Sequence, residues 1–291
     1  MQVLNCQLTN IKLLINNLSA INWTKDQFAK CSISEGGIMF SVEGSSKSFE
    51  AHAFIDSKFF TEYNFRGRQI ELRINLSILL DCINIFGKSS YGISTGTKSE
   101  ITYPDNQGRF SIKLEENDVV TQCSIAIIKI DEDEFYSQLS FDTSNNSVYL
   151  AMPSEVLKEI FNELDWSCSH VKITFSNRPG FISFQTEGTD GTCHIRCSKD
   201  PKIFSFFQIS QTQSNKYLLN SLKACAKALN YSSKVSIRTN ENGMLLFQHV
   251  LLSDSRQESF VEFLLCPSVD EDSDDESENN LQNLSTNGRF I

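Results

Sequence analysis

Five cysteine and histidine residues in the second half of the chain have side chains that could bind zinc. They are Cys168, His170, Cys193, His194 and Cys197. Structural zinc sites usually draw on paired Cys-x-x-Cys motifs, whereas the spacing here is Cys-x-His followed by Cys-His-x-x-Cys. In an alternating strand Cys193 and Cys197 would share one face while His194 points to the other. We therefore expect core cysteines in paired strands, with no metal and no other cofactor.

Two acidic clusters raise the question of nuclease chemistry, in which carboxylates on rigid elements hold two divalent ions. Residues 131–134 are Asp-Glu-Asp-Glu, and residues 270–278 contain seven acids. Both clusters lie in polar stretches that we predict to be a connector and a tail, where metal ligands would not be held in place. We therefore expect the protein not to be an enzyme.

The uneven distribution of these acids changes the meaning of the formal net charge of −10. Outside the two clusters, and with Arg289 of the tail set aside, the chain carries 25 acids and 25 bases. An acidic protein does not grip nucleic acid over its whole surface, but a nearly neutral folded part leaves room for limited contacts. The chain has nine cysteines, and its first residues show no basic stretch followed by an apolar run. We therefore expect no secretory leader and predict reduced thiols in the cytosol or nucleus. No apolar run reaches the roughly 18 residues of a membrane span.

Most of the chain alternates apolar and polar residues with a period of two, which is typical of half-buried strands. Only four segments show a helical period with an apolar stripe. These stripes cover residues 11–18, 76–83, 156–164 and 222–229. The sequence therefore predicts an α+β fold with many strands and four helices.

The helices and the segments beside them recur in the second half of the chain at a nearly constant distance in sequence. The first and third helices end at Leu18 and Leu164, 146 residues apart, and similar segments around Cys82 and Cys225 lie 143 residues apart. A repeat of this length indicates two similar domains. We assign residues 1–128 to the first domain, 129–147 to a connector, 148–267 to the second domain and 268–291 to an acidic disordered tail.

A helix that buries one stripe against a sheet leaves its opposite stripe for solvent or for a ligand. Lys223 and Lys227 lie one turn apart on the fourth predicted helix, while Lys12 and Lys158 lie on the first and third. Two interpretations stay open for these lysines. They belong to solvated helix faces, or they form a weakly basic surface that contacts phosphates without distinguishing bases.

Four stretches of the sequence carry a resemblance to a known family. They are RINLSILLDCINIFG (73–87), QTQSNKY (211–217), KVSIRTN (234–240) and SFVEFLLCP (259–267). Together with the repeat and the placement of the helices, they resemble the sliding clamps of the proliferating cell nuclear antigen type. The resemblance is closest to the Rad-one branch, whose members belong to the heterotrimeric nine-one-one DNA damage checkpoint clamp, and it extends from about residue 3 to residue 267.

The resemblance implies a non-catalytic ring subunit with the DNA clamp fold. The alternative function is a 3′–5′ DNA exonuclease acting in repair, because some relatives have been described as DNA exonucleases. Each of two domains would pack two helices on antiparallel sheets, with the helices on the inner face of the ring. Two related clamp subunits would complete a 1:1:1 ring around double-stranded or primer-template DNA, without sequence specificity. The implied partners also include a clamp loader and checkpoint and repair proteins, and the implied location is the nucleus.

The resemblance also assigns roles to individual residues. The DNA-facing candidates are Lys12, Lys158, Lys223 and Lys227, whereas the second helix lacks the lysines that replicative clamps carry. The subunit joints are expected at edge strands covering residues 109–115 and 171–185. The candidates there are Arg109, Phe110, Ile112, Leu114, Lys172 and Thr174.

Four apolar residues of the connector are candidates for partner binding, because the family has a peptide-docking groove near this region. They are Phe135, Tyr136, Leu139 and Phe141. An alternative stays open, in which these side chains only fix the connector to the sheet.

Overall fold

The computed structural model describes residues 2–9, 11–44, 47–85, 97–116, 118–130, 139–189, 191–252 and 258–268. Within these ranges the order of elements repeats. Each repeat contains a strand, a helix, five strands, a second helix and three strands. The first repeat consists of β1 (Leu4–Leu8), α1 (Ile11–Ile21), β2 (Phe28–Ser34), β3 (Gly37–Glu43), β4 (Phe49–Asp56), β5 (Glu62–Phe65), β6 (Ile70–Asn75), α2 (Leu76–Ile83), β7 (Lys98–Tyr103), β8 (Phe110–Glu116) and β9 (Val119–Ile125).

The second repeat follows the short strand β10 (Ile127–Lys129). It consists of β11 (Val148–Pro153), α3 (Ser154–Asn162), β12 (His170–Ser176), β13 (Phe181–Gly188), β14 (Gly191–Ser198), β15 (Phe206–Ile209), β16 (Gln213–Leu218), α4 (Leu219–Ala228), β17 (Lys234–Thr239), β18 (Leu245–Leu252) and β19 (Glu258–Leu265). The mixed architecture of many antiparallel strands and few helices agrees with the predicted fold class and is compatible with a clamp fold. The predicted domain boundaries stay a prediction.

Three sheets organise the described residues. Strands β5-β1-β7-β8-β9 form one sheet, and β14-β13-β12-β16 form another. The third sheet has ten strands in the order β10-β6-β2-β3-β4-β19-β18-β17-β11-β15. Strands β4 and β19 pair in an antiparallel manner, with Phe54 opposite Phe260. This pairing makes one continuous sheet out of strands from both repeats.

All four helices contact the ten-stranded sheet. Helix α1 packs on β4, β18 and β19, and α2 packs on β2 and β6. Helix α3 packs on β11 and β17, and α4 contacts β19. They lie on the face that carries the buried side chains, such as Phe247 and Phe263. Because side chains alternate along a strand, the residues between them point to the opposite face. Helix α1 is buried on several sides, and its Asn17 donates a hydrogen bond of 2.9 Å from Nδ2 to Ser259 Oγ of β19.

The topology contradicts the predicted edge strands. Strand β8, which contains Phe110, Ile112 and Leu114, pairs with β7 on one side and β9 on the other. Strand β12, which contains Lys172 and Thr174, likewise lies between β13 and β16. Alternation identifies a strand, but the number of its neighbours depends on how the chain folds back beyond it. The free edges of the two shorter sheets include β9 and β14 instead.

Candidate DNA-facing helices and partner groove

The lysines predicted to face DNA differ in their surroundings. Lys12 on α1 and Lys223 on α4 are exposed, whereas Lys158 on α3 and Lys227 on α4 are half-buried. Lys12 and Lys223 lie on the helix surfaces turned away from the apolar core, because their neighbours Leu13 and Leu222 are buried. Of the four candidates, these two are the most exposed.

Lys227 makes a contact that the sequence did not predict. Its Nζ donates a hydrogen bond to the backbone carbonyl of Asn22, just after α1. Burial lowers the pKa of the Lys227 side chain. The Ser77 hydroxyl of α2 completes this junction, since it donates to Asn22 Oδ1 at 3.4 Å and accepts from Gln27 N–H at 3.2 Å. Lys227 therefore helps to hold the two repeats together, while Ser77 fixes the segment after α1 that receives this hydrogen bond.

Helix α3 presents an acidic surface around its lysine. Glu155 and Glu159 of α3 and Glu163 directly after it are exposed, and Glu155 lies one turn before the half-buried Lys158. These carboxylates oppose the positive charge of Lys158 towards an approaching phosphate. The exposed face of α3 is therefore less suited to contact DNA than that of α4.

A small polar cluster joins the beginning of α3 to the segment after α4. Ser154 Oγ lies 2.8 Å from Ser232 Oγ, which in turn lies 3.2 Å from His249 Nδ1. His249 is fully buried, and its ring meets the ring of Phe263 edge to face at 5.4 Å. Desolvation lowers the pKa of this histidine to about 3. His249 is therefore neutral at physiological pH and acts as part of the core.

The opposite face of the ten-stranded sheet carries a groove of about 660 Å³. Its floor crosses the junction of the two repeats and includes Phe54 and Phe260, which are 41% and 40% exposed. Such exposure of large aromatic side chains side by side is typical of interaction sites. The side chains that line the groove come from β3, β4, β18, β19 and residues 139–143. They are Met39, His52, Phe54, Leu139, Ser140, Phe141, Thr143, Leu246, Gln248, Phe260, Glu262 and Leu264.

The connector forms one wall of this groove. Leu139 N–H donates a hydrogen bond of 2.7 Å to Glu50 Oε2, a carboxylate that is only 3% exposed. His52 Nε2 lies 3.3 Å from the same oxygen, and His52 Nδ1 lies 2.9 Å from Ser41 Oγ. The structure thus brings Leu139 and Phe141 to the groove. The two other connector candidates, Phe135 and Tyr136, lie outside the described residues.

Sequence reasoning did not identify Phe54 and Phe260 as part of this site. Each occupies an outward position in a strand where alternation would place a polar residue, as in the segment His52–Ala53–Phe54. That break in the alternation is the signal that could have pointed to the floor of the groove.

The two free edges at β9 and β14 have different chemistry. Val119 and Val120 of β9 are 55% and 53% exposed. In β14 the exposed positions alternate and include His194 and Arg196. The guanidinium of Arg196 lies 3.8 Å from the centre of the Phe181 ring. The beginning of β9 is therefore apolar, whereas β14 is polar and basic.

The cysteines and histidines considered as metal ligands are separated by the strands. Strand β14 places Cys193 and Cys197 on one face and His194 on the other, and Cys193 Sγ lies 3.3 Å from the carbonyl oxygen of Glu163. Within the described ranges no three His, Cys, Asp or Glu side chains are grouped closely enough to hold a metal ion. All nine cysteines are free thiols. None of the helices in the described part of the chain is long and apolar enough to cross a membrane.

Comparisons with known proteins show which family the chain is similar to. Residues 3–251 match the family described as "Repair protein Rad1/Rec1/Rad17". The human "Cell cycle checkpoint protein RAD1" is 35% identical over 262 residues, 89% of this chain and 90% of the human protein. The mouse protein of the same name is 36% identical over 262 residues, with the same shares of the two chains.

A more distant relative has a similar description. The "DNA damage checkpoint control protein rad1" of Schizosaccharomyces pombe is 26% identical over 278 residues, 88% of this chain and 84% of the yeast protein. These names describe checkpoint and repair proteins, and they do not support the exonuclease alternative. From the family match over most of the chain and the identity to the mammalian proteins, we conclude that this chain belongs to the Rad1 family of checkpoint and repair proteins.

Proposed function

We propose that this chain is a non-catalytic subunit of a DNA damage checkpoint clamp, a ring that surrounds DNA and recruits signalling and repair proteins. Its relatives are named for cell cycle checkpoint and DNA damage checkpoint functions. The observation that carries the proposal is the ten-stranded sheet with strands from both repeats and four helices on one face. Such a sheet suits the outer wall of a ring segment whose helices line the inside.

The ring would close through strands β9 and β14, which replace β8 and β12 as joint candidates. An exposed strand edge presents unpaired backbone groups and invites association, so proteins usually cover it. Strands from two related subunits in a 1:1:1 ring would cover these two edges. The exposed Val119 and Val120 at β9 favour an apolar neighbour on that side.

DNA would be held mainly by topology, after a clamp loader has opened the ring. A closed ring does not need tight binding, so a few lysine–phosphate contacts are enough. Lys12 and Lys223 are the best candidates, because they are exposed. Lys158 is half-buried on a helix whose exposed face is acidic, and Lys227 donates a hydrogen bond to Asn22. Contacts of this kind neutralise phosphates on double-stranded or primer-template DNA without sequence specificity, and they weaken with salt.

The groove at the junction of the repeats would bind peptide segments of checkpoint and repair proteins in the nucleus. Its exposed Phe54 and Phe260 provide an apolar floor, and Leu139 and Phe141 provide a wall. The Glu50–Leu139 hydrogen bond fixes the position of that wall. Such a groove suits an extended or single-turn peptide with apolar anchors.

The assembly is tested by purifying the tagged full-length chain from its own cells and identifying the proteins that remain bound in stoichiometric amount. Native mass spectrometry should then give one copy each of this chain and two related subunits. A monomer, or a ring built only of identical copies, would contradict the proposed heterotrimer.

The joints are tested by a pair of charge substitutions. Val120→Glu on β9 should reduce the yield of the complex at least tenfold, because it places a charge in an apolar joint. Lys113→Glu on β8 is the matched control, since Lys113 is exposed on a strand with neighbours on both sides. Equal loss of assembly in both variants would show that β9 is not a joint.

A further inference from the structure

Two cysteine side chains from different elements meet beside a free edge of the five-stranded sheet. Cys82 lies on α2 and Cys123 lies on β9, 41 residues later in the sequence. The two elements are in contact, and a hydrogen bond joins the two thiol groups. Strand β9 forms one free edge of its sheet. A covalent bond between these two sulfur atoms would therefore connect a helix to an edge strand.

The local pattern of each element explains why both side chains point into this contact. On α2, Cys82 precedes the buried Ile83 and lies one turn after the buried Leu79, at the margin of the apolar stripe. On β9, Cys123 is the cross-strand partner of Ile112 in β8, which is 1% exposed. Cross-strand partners lie on the same face of a sheet, and this is the buried face, where α2 contacts β8 and β9. The two thiols therefore meet where α2 packs on β9.

Partial exposure distinguishes this pair from a second pair of neighbouring cysteines. Cys82 and Cys123 are half-buried, so a small oxidant reaches them from solvent. Cys6 and Cys31 also interact with each other, but both are fully buried, and burial raises the pKa of both thiols. A cysteine is oxidised readily only where it is accessible and can form a thiolate. The pair on α2 and β9 combines proximity with access, whereas the core pair has proximity alone.

Both thiols lie in parts of their elements that can adjust to a covalent bond. Disulfide formation brings the sulfur atoms from contact to a distance of about 2.05 Å. Cys82 lies in the last turn of α2, and Cys123 lies in an edge strand. Helix ends and edge strands have fewer backbone hydrogen bonds than the interior of a helix or sheet. The small movement that the bond requires is therefore accommodated locally.

We propose that Cys82 and Cys123 form a redox-sensitive dithiol, which hydrogen peroxide converts into an intramolecular disulfide that links α2 to β9. Intracellular thiols are kept reduced by glutathione and thioredoxin. The disulfide therefore forms only under oxidising conditions, and glutathione reverses it. This inference concerns the chain by itself and does not depend on the proposed ring.

The reaction has two steps and transfers two electrons from the sulfur atoms to the peroxide. Burial and the neighbouring thiol raise the pKa of Cys82 to about 12, so the attacking thiolate is that of Cys123. It attacks one peroxide oxygen, the O–O bond breaks, and Cys123 becomes a sulfenic acid. The hydroxide that leaves takes up the proton that Cys123 released. The Cys82 sulfur then displaces the sulfenic hydroxyl group, which leaves as water with the Cys82 proton. Two thiols and one peroxide thus give one disulfide and two water molecules.

The proposal is tested on the full-length chain, which is first reduced and then exposed to about a tenfold molar excess of hydrogen peroxide. Intact mass spectrometry should show a loss of about 2 Da, the mass of two hydrogen atoms. Tryptic digestion without a reductant should give one crosslinked product, in which peptide 74–88 is joined to peptide 114–129. Glutathione should reverse both the loss of mass and the crosslink.

Serine variants separate the roles of the two thiols. Cys82→Ser should stop the reaction at the sulfenic acid of Cys123, which dimedone traps as a stable adduct. Cys123→Ser should give at least fivefold less dimedone adduct, now on Cys82. Cys193→Ser is the matched control, because it removes another half-buried thiol, which is bonded to the Glu163 carbonyl. This control should leave the yield of the crosslink unchanged.

Several outcomes would contradict the proposal. A wild-type mass that does not fall, or peroxide that adds oxygen without joining the two peptides, would overturn it. A crosslink between Cys6 and Cys31 in equal yield would show that peroxide acts on the unfolded chain. A 1:1 mixture of isotopically light and heavy chains identifies intermolecular products, and these should not be the main crosslink. A crosslink that dithiothreitol reduces but glutathione does not would show a permanent disulfide instead of a redox-sensitive one.

Discussion

Helices α3 and α4 carry opposite charge on their exposed faces, although both pack on the ten-stranded sheet. They occupy the same two positions in the second repeat that α1 and α2 occupy in the first. Helix α3 exposes Glu155 and Glu159, with the exposed Glu163 directly after it, whereas α4 exposes Lys223 with no acid in the helix. Packing against the sheet constrains only the buried stripe of each helix. Packing leaves the charge of the exposed stripe free to differ between the two helices.

The buried stripes of the two helices differ as well. Helix α3 inserts Phe161, whose ring meets Trp166, Phe184 and Phe247 edge to face at 5.7–6.4 Å between ring centres. Helix α4 buries smaller side chains such as Ala224, Cys225 and Ala228. Helix α3 therefore depends on one large aromatic anchor, while α4 buries no aromatic side chain. The contacts of Ser154, Ser232 and His249 link the two helices at one end.

The largest effect is expected from removing the anchor of α3. Phe161→Ala should lower the free energy of unfolding by about 3–5 kcal/mol, because a buried aromatic ring is lost and a cavity remains. Phe161→Leu, which keeps most of the volume, should cost about half as much. Urea unfolding followed by circular dichroism measures both. A loss below about 1 kcal/mol for the alanine variant would show that the core closes around the site and that α3 has no single anchor.

The stability of the folded protein should depend on pH through His249, which lies at the end where α3 and α4 are linked. Its pKa is about 3 in the folded protein because of burial, against about 6.5 in the unfolded chain. Between these values the unfolded chain binds a proton that the folded protein does not. The stability is therefore complete above about pH 6.5 and falls as the pH falls towards 3, by at most about 1.4 kcal/mol per pH unit.

The control for this prediction is His249→Phe, which keeps an aromatic ring against Phe263 but cannot be protonated. Carboxylates contribute to acid unfolding in both proteins, so the informative quantity is the difference between them. Between pH 6.5 and 4.5 the wild type should lose about 2 kcal/mol more than the variant. Parallel pH profiles for the two proteins would show that His249 is not protonated on unfolding in this range.

The helices also show how much of the structure could be predicted from the sequence. Apolar stripes at 76–83 and 156–164 predicted α2 (Leu76–Ile83) and α3 (Ser154–Asn162) closely, because a helical period depends only on local spacing. The positions of β8 and β12 within their sheets were predicted wrongly, because pairing depends on strands distant in the sequence. The contact between Lys227 and Asn22 spans 205 residues, and no local pattern indicates it.

The charge difference between α3 and the pair α1 and α4 should appear in DNA binding by the assembled ring. Each phosphate contact contributes about 0.9 to the slope of log K against log salt. Lys12→Gln together with Lys223→Gln should therefore lower the slope by about 2, measured between 50 and 200 mM NaCl. Lys158→Gln should change it by less than about 0.3, because Lys158 is half-buried and Glu155 lies one turn away on a helix whose exposed face is acidic. An equal effect in the two variants would mean that DNA passes along α3 as closely as along α4.

The smallest effect is expected at Lys227, and it separates two roles for lysines on the same helix. Met keeps the length and the apolar stem of the side chain but cannot donate to the Asn22 carbonyl. Lys227→Met should lower the free energy of unfolding by about 1 kcal/mol, which is typical for the loss of one hydrogen bond. It should leave the salt slope of DNA binding unchanged, whereas Lys223→Gln lowers it by about 0.9. If instead the slope falls as much in Lys227→Met as in Lys223→Gln while stability stays unchanged, the ammonium group of Lys227 serves DNA and not the junction. In that event, α4 would present two phosphate contacts one turn apart, and its difference from α3 would be larger than the static contacts indicate.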